Sequence, residues 1–267
     1  MRISRYQVVE LVTISTVDGP KEIRCRGGSN VSQSEAVADA HRRAEVVRRR
    51  IAGEVRPADT EYEVEIREEI LDFMDEQSVV TRNRYGASVL NTTALTIIDI
   101  DQAKRRWFDF FGGRPSDPKK AMLESVKRAA SQGRFSSLGF RAYETAAGLR
   151  VIVLGRYLAP DEADTKALFK ALNGDPLYES LCRRQGCYRA RLTPKPHRMK
   201  QERRTFVWPR PEEDDEAAKR WLDAYASRGA GFAVCRYLET FGRNHPVGRL
   251  VQFHDRETGV GSALPLA

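Results

Sequence analysis

Asp99 and Asp101 stand two residues apart at the end of an apolar run, ALTIIDIDQA, Ala94 to Ala103. In an extended strand, residues i and i+2 point to the same face. The two carboxylates are then neighbours, and like charges that close disfavour ionisation of both unless a cation intervenes. A divalent metal is one such cation, and hard Mg²⁺ or Mn²⁺ prefers oxygen ligands. The local alternative is that Asp99 ends the strand and Asp101 caps a turn or helix starting near Lys104.

Other groups downstream could share that chemistry. Arg150 follows Gly148 in the segment FRAYETAAGLRVIVLG, and Asp175 opens a Gly-Asp-Pro turn. Arg189 and Arg191 fall on one face of a strand, with Lys195 in a Thr-Pro-Lys-Pro loop and Arg198 just beyond. Guanidinium forks match phosphate oxygens, so this cluster suits a phosphate. The competing reading pairs these arginines with nearby carboxylates. His254-Asp255 is either an oriented general base or a structural histidine. Cys182 and Cys187, with Cys235 and His197 or His245, could ligate zinc, but C-x4-C is a poor knuckle spacing and buried free thiols are favoured. Trp208 follows the basic stretch HRMKQERRTF, and an aromatic among cations either stacks on bases or packs.

The elements that must position these groups are legible as patterns. Residues 1–55 read as a small ββα unit: strands around Tyr6–Thr16 and Lys21–Arg26, a turn at Asp18-Gly19, then a helix begun by Ser32 and Glu35. Val37, Ala40, Ala44, Val47 and Ile51 make its apolar face, and Arg42, Arg43 and Arg48 to Arg50 its basic one. That basic face either contacts phosphates or is simply solvated. Residues 54–60 read as a linker to an α+β domain over 60–267. There the pattern predicts a helix over 66–74, a hairpin or strand–loop–strand over 79–90 and a strand over 94–100. A helix follows from Pro118, then a hairpin over 140–154, a helix over 164–172 and a strand over 188–192. Helices over 213–230, 232–241 and 248–255 make a helical C-terminal part. Hairpins mixed with helices imply a mixed or antiparallel sheet with flanking helices, not a doubly wound parallel one.

The 267 residues, 41% of them hydrophobic, suffice for one large domain or a domain with an appendage. A net charge of +8 favours a polyanionic partner, though weakly. No apolar run approaches the roughly 18 residues of a membrane span, and the N-terminus lacks a secretory apolar core. Four cysteines make no disulfide scaffold, so a soluble cytoplasmic protein is expected.

In order and spacing, these motifs resemble the catalytic palms of the archaeo-eukaryotic primase superfamily, which includes primase-polymerases. IIDID is similar to that family's strand ending in Asp-x-Asp. AAGLR resembles its Gly-x-His hairpin, with Arg150 at the histidine position. GDPLYESL resembles the element carrying the next aspartate, and CYRARLTPKP the basic strand and loop that follow. The likeness covers about residues 94–198. It implies that Asp99, Asp101 and Asp175 hold two Mg²⁺ or Mn²⁺ ions for nucleotidyl transfer. It also implies that Arg150, Arg189, Arg191, Lys195 and Arg198 hold a nucleoside triphosphate or nucleic acid. Arginine in place of histidine, and a last loop without the usual Gly and Asn, open the alternative of a catalytically inactive nucleotide- or nucleic-acid-binding module. A third alternative is a protein-interaction module whose charges only solubilise. Stretches such as TRNRYGASVLN and the ending SALPLA also resemble bacterial proteins from which no activity transfers.

Overall fold

Hairpins account for most of the strands, and short helices cover the sheets that they build. The structure, a computed structural model, describes residues 1–54, 65–101 and 117–267. It begins with β1 (Tyr6–Thr16) and β2 (Gly19–Ser29), joined by a tight turn in which Gly19 takes φ +102°. Glycine adopts that conformation without strain. The Ser32 hydroxyl accepts from the Glu35 amide and so caps α1 (Gln33–Ile51). Ala36, Ala40 and Ala44 lay α1 on the hairpin. Its basic face is largely neutralised within the protein: Arg42, Arg43, Arg48 and Arg49 pair with Asp39, Glu65, Glu45 and Glu54.

The chain then forms β3 (Glu69–Asp75), β4 (Ser78–Arg82), β5 (Ser88–Thr92) and β6 (Thr96–Asp101). After α2 (Pro118–Ala130) come β7 (Gly139–Thr145), β8 (Gly148–Leu154), α3 (Ala163–Leu172), α4 (Pro176–Gln185) and β9 (Tyr188–Arg191). The C-terminal part is α5 (Asp215–Gly229), β10 (Cys235–Gly242) and α6 (Arg249–Glu257). Two antiparallel four-stranded sheets result, ordered β3-β4-β5-β9 and β10-β7-β8-β6. The class is α+β, antiparallel sheets flanked by helices. Among the described residues no helix is long and apolar enough to cross a membrane.

Three segments differ from the sequence reading. The helix expected over 66–74 is strand β3: its helix-forming residues are overridden by pairing with β4 across a tight turn. That pairing is irregular, with register shifts at Leu71 and Met74. The helix expected over 232–241 is strand β10, paired along β7 from Cys235 opposite Thr145 to Gly242 opposite Gly139. The C-terminal part is therefore not wholly helical. Finally, the Gly-Asp-Pro turn runs directly into α4, capped by Asp175, whose carboxylate accepts from the Leu177 amide. The expected linker from residue 55 on, and the turn or helix expected near Lys104, lie outside the described residues.

α2 packs against β7, β8 and β10, while α6 brings His254 edge-on to Tyr143, their centroids 5.1 Å apart. The buried core is aliphatic around Ile97, Ile98, Val151 and Ile152. β6 of one sheet runs beside β9 of the other. The N-terminus is stitched to this body: the Arg2 amide donates to the Gln185 carbonyl, and Ile3 joins Ile66, Val79 and Cys187 in an apolar cluster.

Gly148 lies opposite Asp101 on β8, and a Cβ there would fall 2.0 Å from the Ile100 carbonyl oxygen. A methyl would force apart the strand ends that carry the aspartates. Gly148→Ala is expected to lower the stability by about 1–3 kcal/mol, with the slope of a urea titration unchanged. An unchanged midpoint would mean that the strands separate freely.

Candidate functional site

The strand register places Asp99 directly opposite Arg150 and Asp101 opposite Gly148. Both aspartates leave the face buried by Ile98 and Ile100, as period-two alternation requires. Arg150 is only 2% exposed, and its guanidinium grips Asp99 through both carboxylate oxygens, Nε to Oδ1 at 2.8 Å and Nη2 to Oδ2 at 3.3 Å. Nη1 donates to the Arg191 carbonyl at 3.0 Å, meets His254 Nε2 at 3.3 Å and lies 3.8 Å from Cys235 Sγ. Burial works against the charge, but Asp99 outweighs it and holds the guanidinium protonated.

This fixes the histidine tautomer. Arg150 Nη1 can only donate, so Nε2 of His254 accepts, and the proton sits on Nδ1, which donates to Asp255 Oδ1 at 3.0 Å. Burial, then the Arg150 charge, keeps the imidazole below its ordinary range despite Asp255. Asp255 also accepts from Arg141 Nη2 at 2.7 Å. Asp99, Arg150, Asp255 and Arg141 thus form a closed, charge-balanced chain across β6, β8, α6 and β7. His254 is a buried link in it rather than a base open to substrate.

Asp175 converges on the same spot. Its backbone amide donates to the Asp99 carbonyl at 3.0 Å. Asp101 titrates higher than an ordinary carboxylate, first because of burial and then because of the Asp99 charge; Asp175 adds to the rise, while Lys195 and Arg198 oppose it. The three predicted aspartates and two of the predicted cations therefore share one electrostatic neighbourhood. They do not form a metal cage as they stand. Asp99 is taken by Arg150, one Asp175 oxygen caps α4, and among the described residues no three His, Cys, Asp or Glu side chains gather as a ligand set. The three carboxylates in this arrangement do not fit a pair of divalent ions.

The basic residues divide. Arg189 is occupied by Glu68, which also takes the Thr81 hydroxyl at 2.6 Å. Arg191 is different. Nε is buried without a partner in both arginines, but Arg189 bonds Glu68 through Nη2, whereas among the described residues no hydrogen bond or ion pair reaches the Arg191 guanidinium at all. Burial together with the neighbouring Arg150 charge pushes its pKa down to about 10. Lys195 is depressed by burial and by Arg191 and Arg198. Among the described residues, none of Arg191, Lys195, Arg198 and Arg203 has an ion-pair partner. The loop that carries Lys195 is fixed from below by Tyr225, whose hydroxyl donates to the Pro194 carbonyl at 2.7 Å.

A pocket of about 420 Å³ opens at this cluster, lined by Asn83, Tyr85, Ala87, Arg191, Lys195, His197, Arg203 and Arg204. That size suits a small-molecule ligand. Tyr85, Arg203 and Arg204 are additions to the predicted set. The basic run HRMKQERR carried the signal for the two arginines; nothing in the sequence marked Tyr85, which the β4–β5 turn delivers. The zinc ligands that the sequence allowed do not gather: the four cysteines are buried and free. The chain matches no protein-family model, no curated protein and no solved structure.

Removing one partner of a buried ion pair strands the other, which costs about 3–5 kcal/mol when fully buried. Asp99 is 29% exposed, so Asp99→Asn is expected at the lower end of that range. Adding Arg150→Met to it should cost less than the two single changes summed; strict additivity in denaturant titrations would show that the pair is not coupled. The depressed His254 has a linked consequence. The unfolded imidazole binds a proton near pH 6.5, whereas the folded one resists it. Its stabilising contribution is therefore full above about pH 6.5 and is lost as the pH falls through that value. His254→Gln keeps an acceptor for Arg150 and should flatten this part of the stability–pH curve.

Proposed function

We propose that the pocket at Arg191 binds the phosphates of a nucleotide or of a nucleic-acid strand as a non-catalytic binding site. The observation that carries this reading is the buried Arg191 guanidinium with no acceptor for its Nε. An unsatisfied buried donor costs about 1–3 kcal/mol, more when charged, and Arg150 beside it adds repulsion. A phosphate supplies both the oxygens and the negative charge. Lys195, Arg198 and Arg203 extend the same positive field, and Tyr85, 53% exposed on the rim, offers a ring face to a base. The resemblance to primase-polymerase palms supports a nucleotide as the ligand class.

A second reading, metal-dependent nucleotidyl transfer, is favoured by the convergence of Asp99, Asp101 and Asp175. It requires Asp99 to exchange Arg150 for a metal ion, and Arg150 has acceptors from three other elements to keep it in place.

Titration calorimetry with a nucleoside triphosphate, with and without Mn²⁺, separates the two. The binding reading expects association without metal, weakening with salt. Arg191→Met and Lys195→Met should each lower the affinity by about ten- to a hundredfold, the equivalent of one charge-assisted hydrogen bond. Asp101→Asn should strengthen metal-free binding, because it removes a negative charge that acts on Lys195 and Arg198. Binding that needs Mn²⁺ and disappears in Asp101→Asn would instead establish the transfer reading. No binding, or an indifferent Arg191→Met, would overturn the pocket assignment.

A further inference from the structure

Trp208 is not part of the pocket at Arg191. It lines a separate open groove of about 620 Å³ between the N-terminal hairpin and β3, together with Arg5, Tyr6 and Phe73. Tyr6 is 37% and Phe73 46% exposed. The Arg5 guanidinium lies over the Phe73 ring, 5.2 Å from its centroid. A small cleft shares Gln7 and Trp208 with this groove and adds Arg26 and Arg67. Arg26 is depressed first by burial and then by the charge of Arg67, so two cations are held near one another at the groove's end. Arg67 has Glu65 at 3.4 Å, but that carboxylate is shared with Arg43. Among the described residues Arg26 has no ion-pair partner. Asp72 is the carboxylate in the groove lining.

We propose that this groove is a second site, which binds single-stranded nucleic acid by stacking bases on Phe73, Trp208 and Tyr6 while Arg5, Arg26 and Arg67 meet the phosphates. Every base has a π-face, so rings interleaved with cations recognise a strand without reading its sequence. In a duplex the base faces are already covered by their neighbours, and exposed rings gain nothing from it. A peptide is disfavoured as occupant. Strand addition would use the free edge of β3, and the register shifts at Leu71 and Met74 break the ladder that an incoming strand needs. The segment from Arg203 to Trp208 joins the groove to the pocket, and a chain of that length spans at most about 18 Å. One short strand can therefore touch both sites, although the groove stands on its own evidence.

The test is fluorescence anisotropy with a labelled oligothymidylate on the full chain, alongside nucleoside triphosphate calorimetry. Trp208→Ala and Phe73→Ala should each weaken oligothymidylate binding by about fivefold or more, while triphosphate binding at Arg191 stays unchanged. Trp208→Phe, which keeps a ring, should retain most of the affinity, and its loss of oligonucleotide-induced fluorescence quenching would place the strand at this side chain. Melting curves of the variants check that each is folded. Unchanged oligothymidylate binding in the folded Trp208→Ala/Phe73→Ala double variant would overturn the proposal. So would a preference for the matching duplex over the single strand. Loss of triphosphate binding in Arg191→Met with oligothymidylate binding retained would show that the groove acts independently of the pocket.

Discussion

The buried guanidinium of Arg150 is the constraint around which this molecule is arranged. Taking a charge out of water costs several kcal/mol even after relaxation, and a fold tolerates it only where acceptors are fixed in advance. Here they come from four elements: the Asp99 carboxylate on β6, the Arg191 carbonyl on β9, His254 on α6 and the Cys235 sulfur at the start of β10. The two sheets meet at β6 and β9, and Arg150 is the side chain that clasps them there. A shift of either sheet or of α6 would leave one of these groups unsatisfied, so the geometry of the seam is specified more tightly than apolar packing would specify it.

The same clasp sets the character of the neighbouring surface. Asp99 is consumed in holding Arg150, which leaves the next guanidinium, Arg191, beside a like charge and without a carboxylate of its own. Lys195 and Arg198 then add to an uncompensated field at a point where two strand ends and a rigid loop create a concavity. Asp101, close to Lys195 and Arg198, opposes that field. Helix α1, which carries more arginines in sequence, has no such field, because Asp39, Glu45, Glu54 and Glu65 neutralise it.

Much of this was readable from residue order, and the exceptions have physical causes. The alternation in TIIDID gave both the strand and the shared face of Asp99 and Asp101. The turns at Gly19 and Asn83 to Gly86 gave their hairpins, and Asp175, Lys195 and Arg198, singled out from short local motifs, lie near the aspartates. β3 and β10 depart from the sequence pattern because EILDFMD and CRYLETFG have no clean period; β3 is a strand through a bulged hairpin with β4, and β10 through β7, about a hundred residues earlier. Arg189 and Arg191 look equivalent along the chain, yet Glu68, more than a hundred residues away, captures one and leaves the other free. The link from Arg150 to His254 and the rim residue Tyr85 depend on tertiary contacts that no local pattern encodes.

The irregular pairing of β3 bears on how this protein keeps to itself. An edge strand with Leu71 and Phe73 facing water is the kind of template on which identical chains stack into fibrils. The extra residues at Leu71 and Met74 twist its outer backbone out of line, so no second copy can dock a continuous ladder of hydrogen bonds. Phe73 can therefore stand exposed on this strand without the strand offering a regular edge to a second copy.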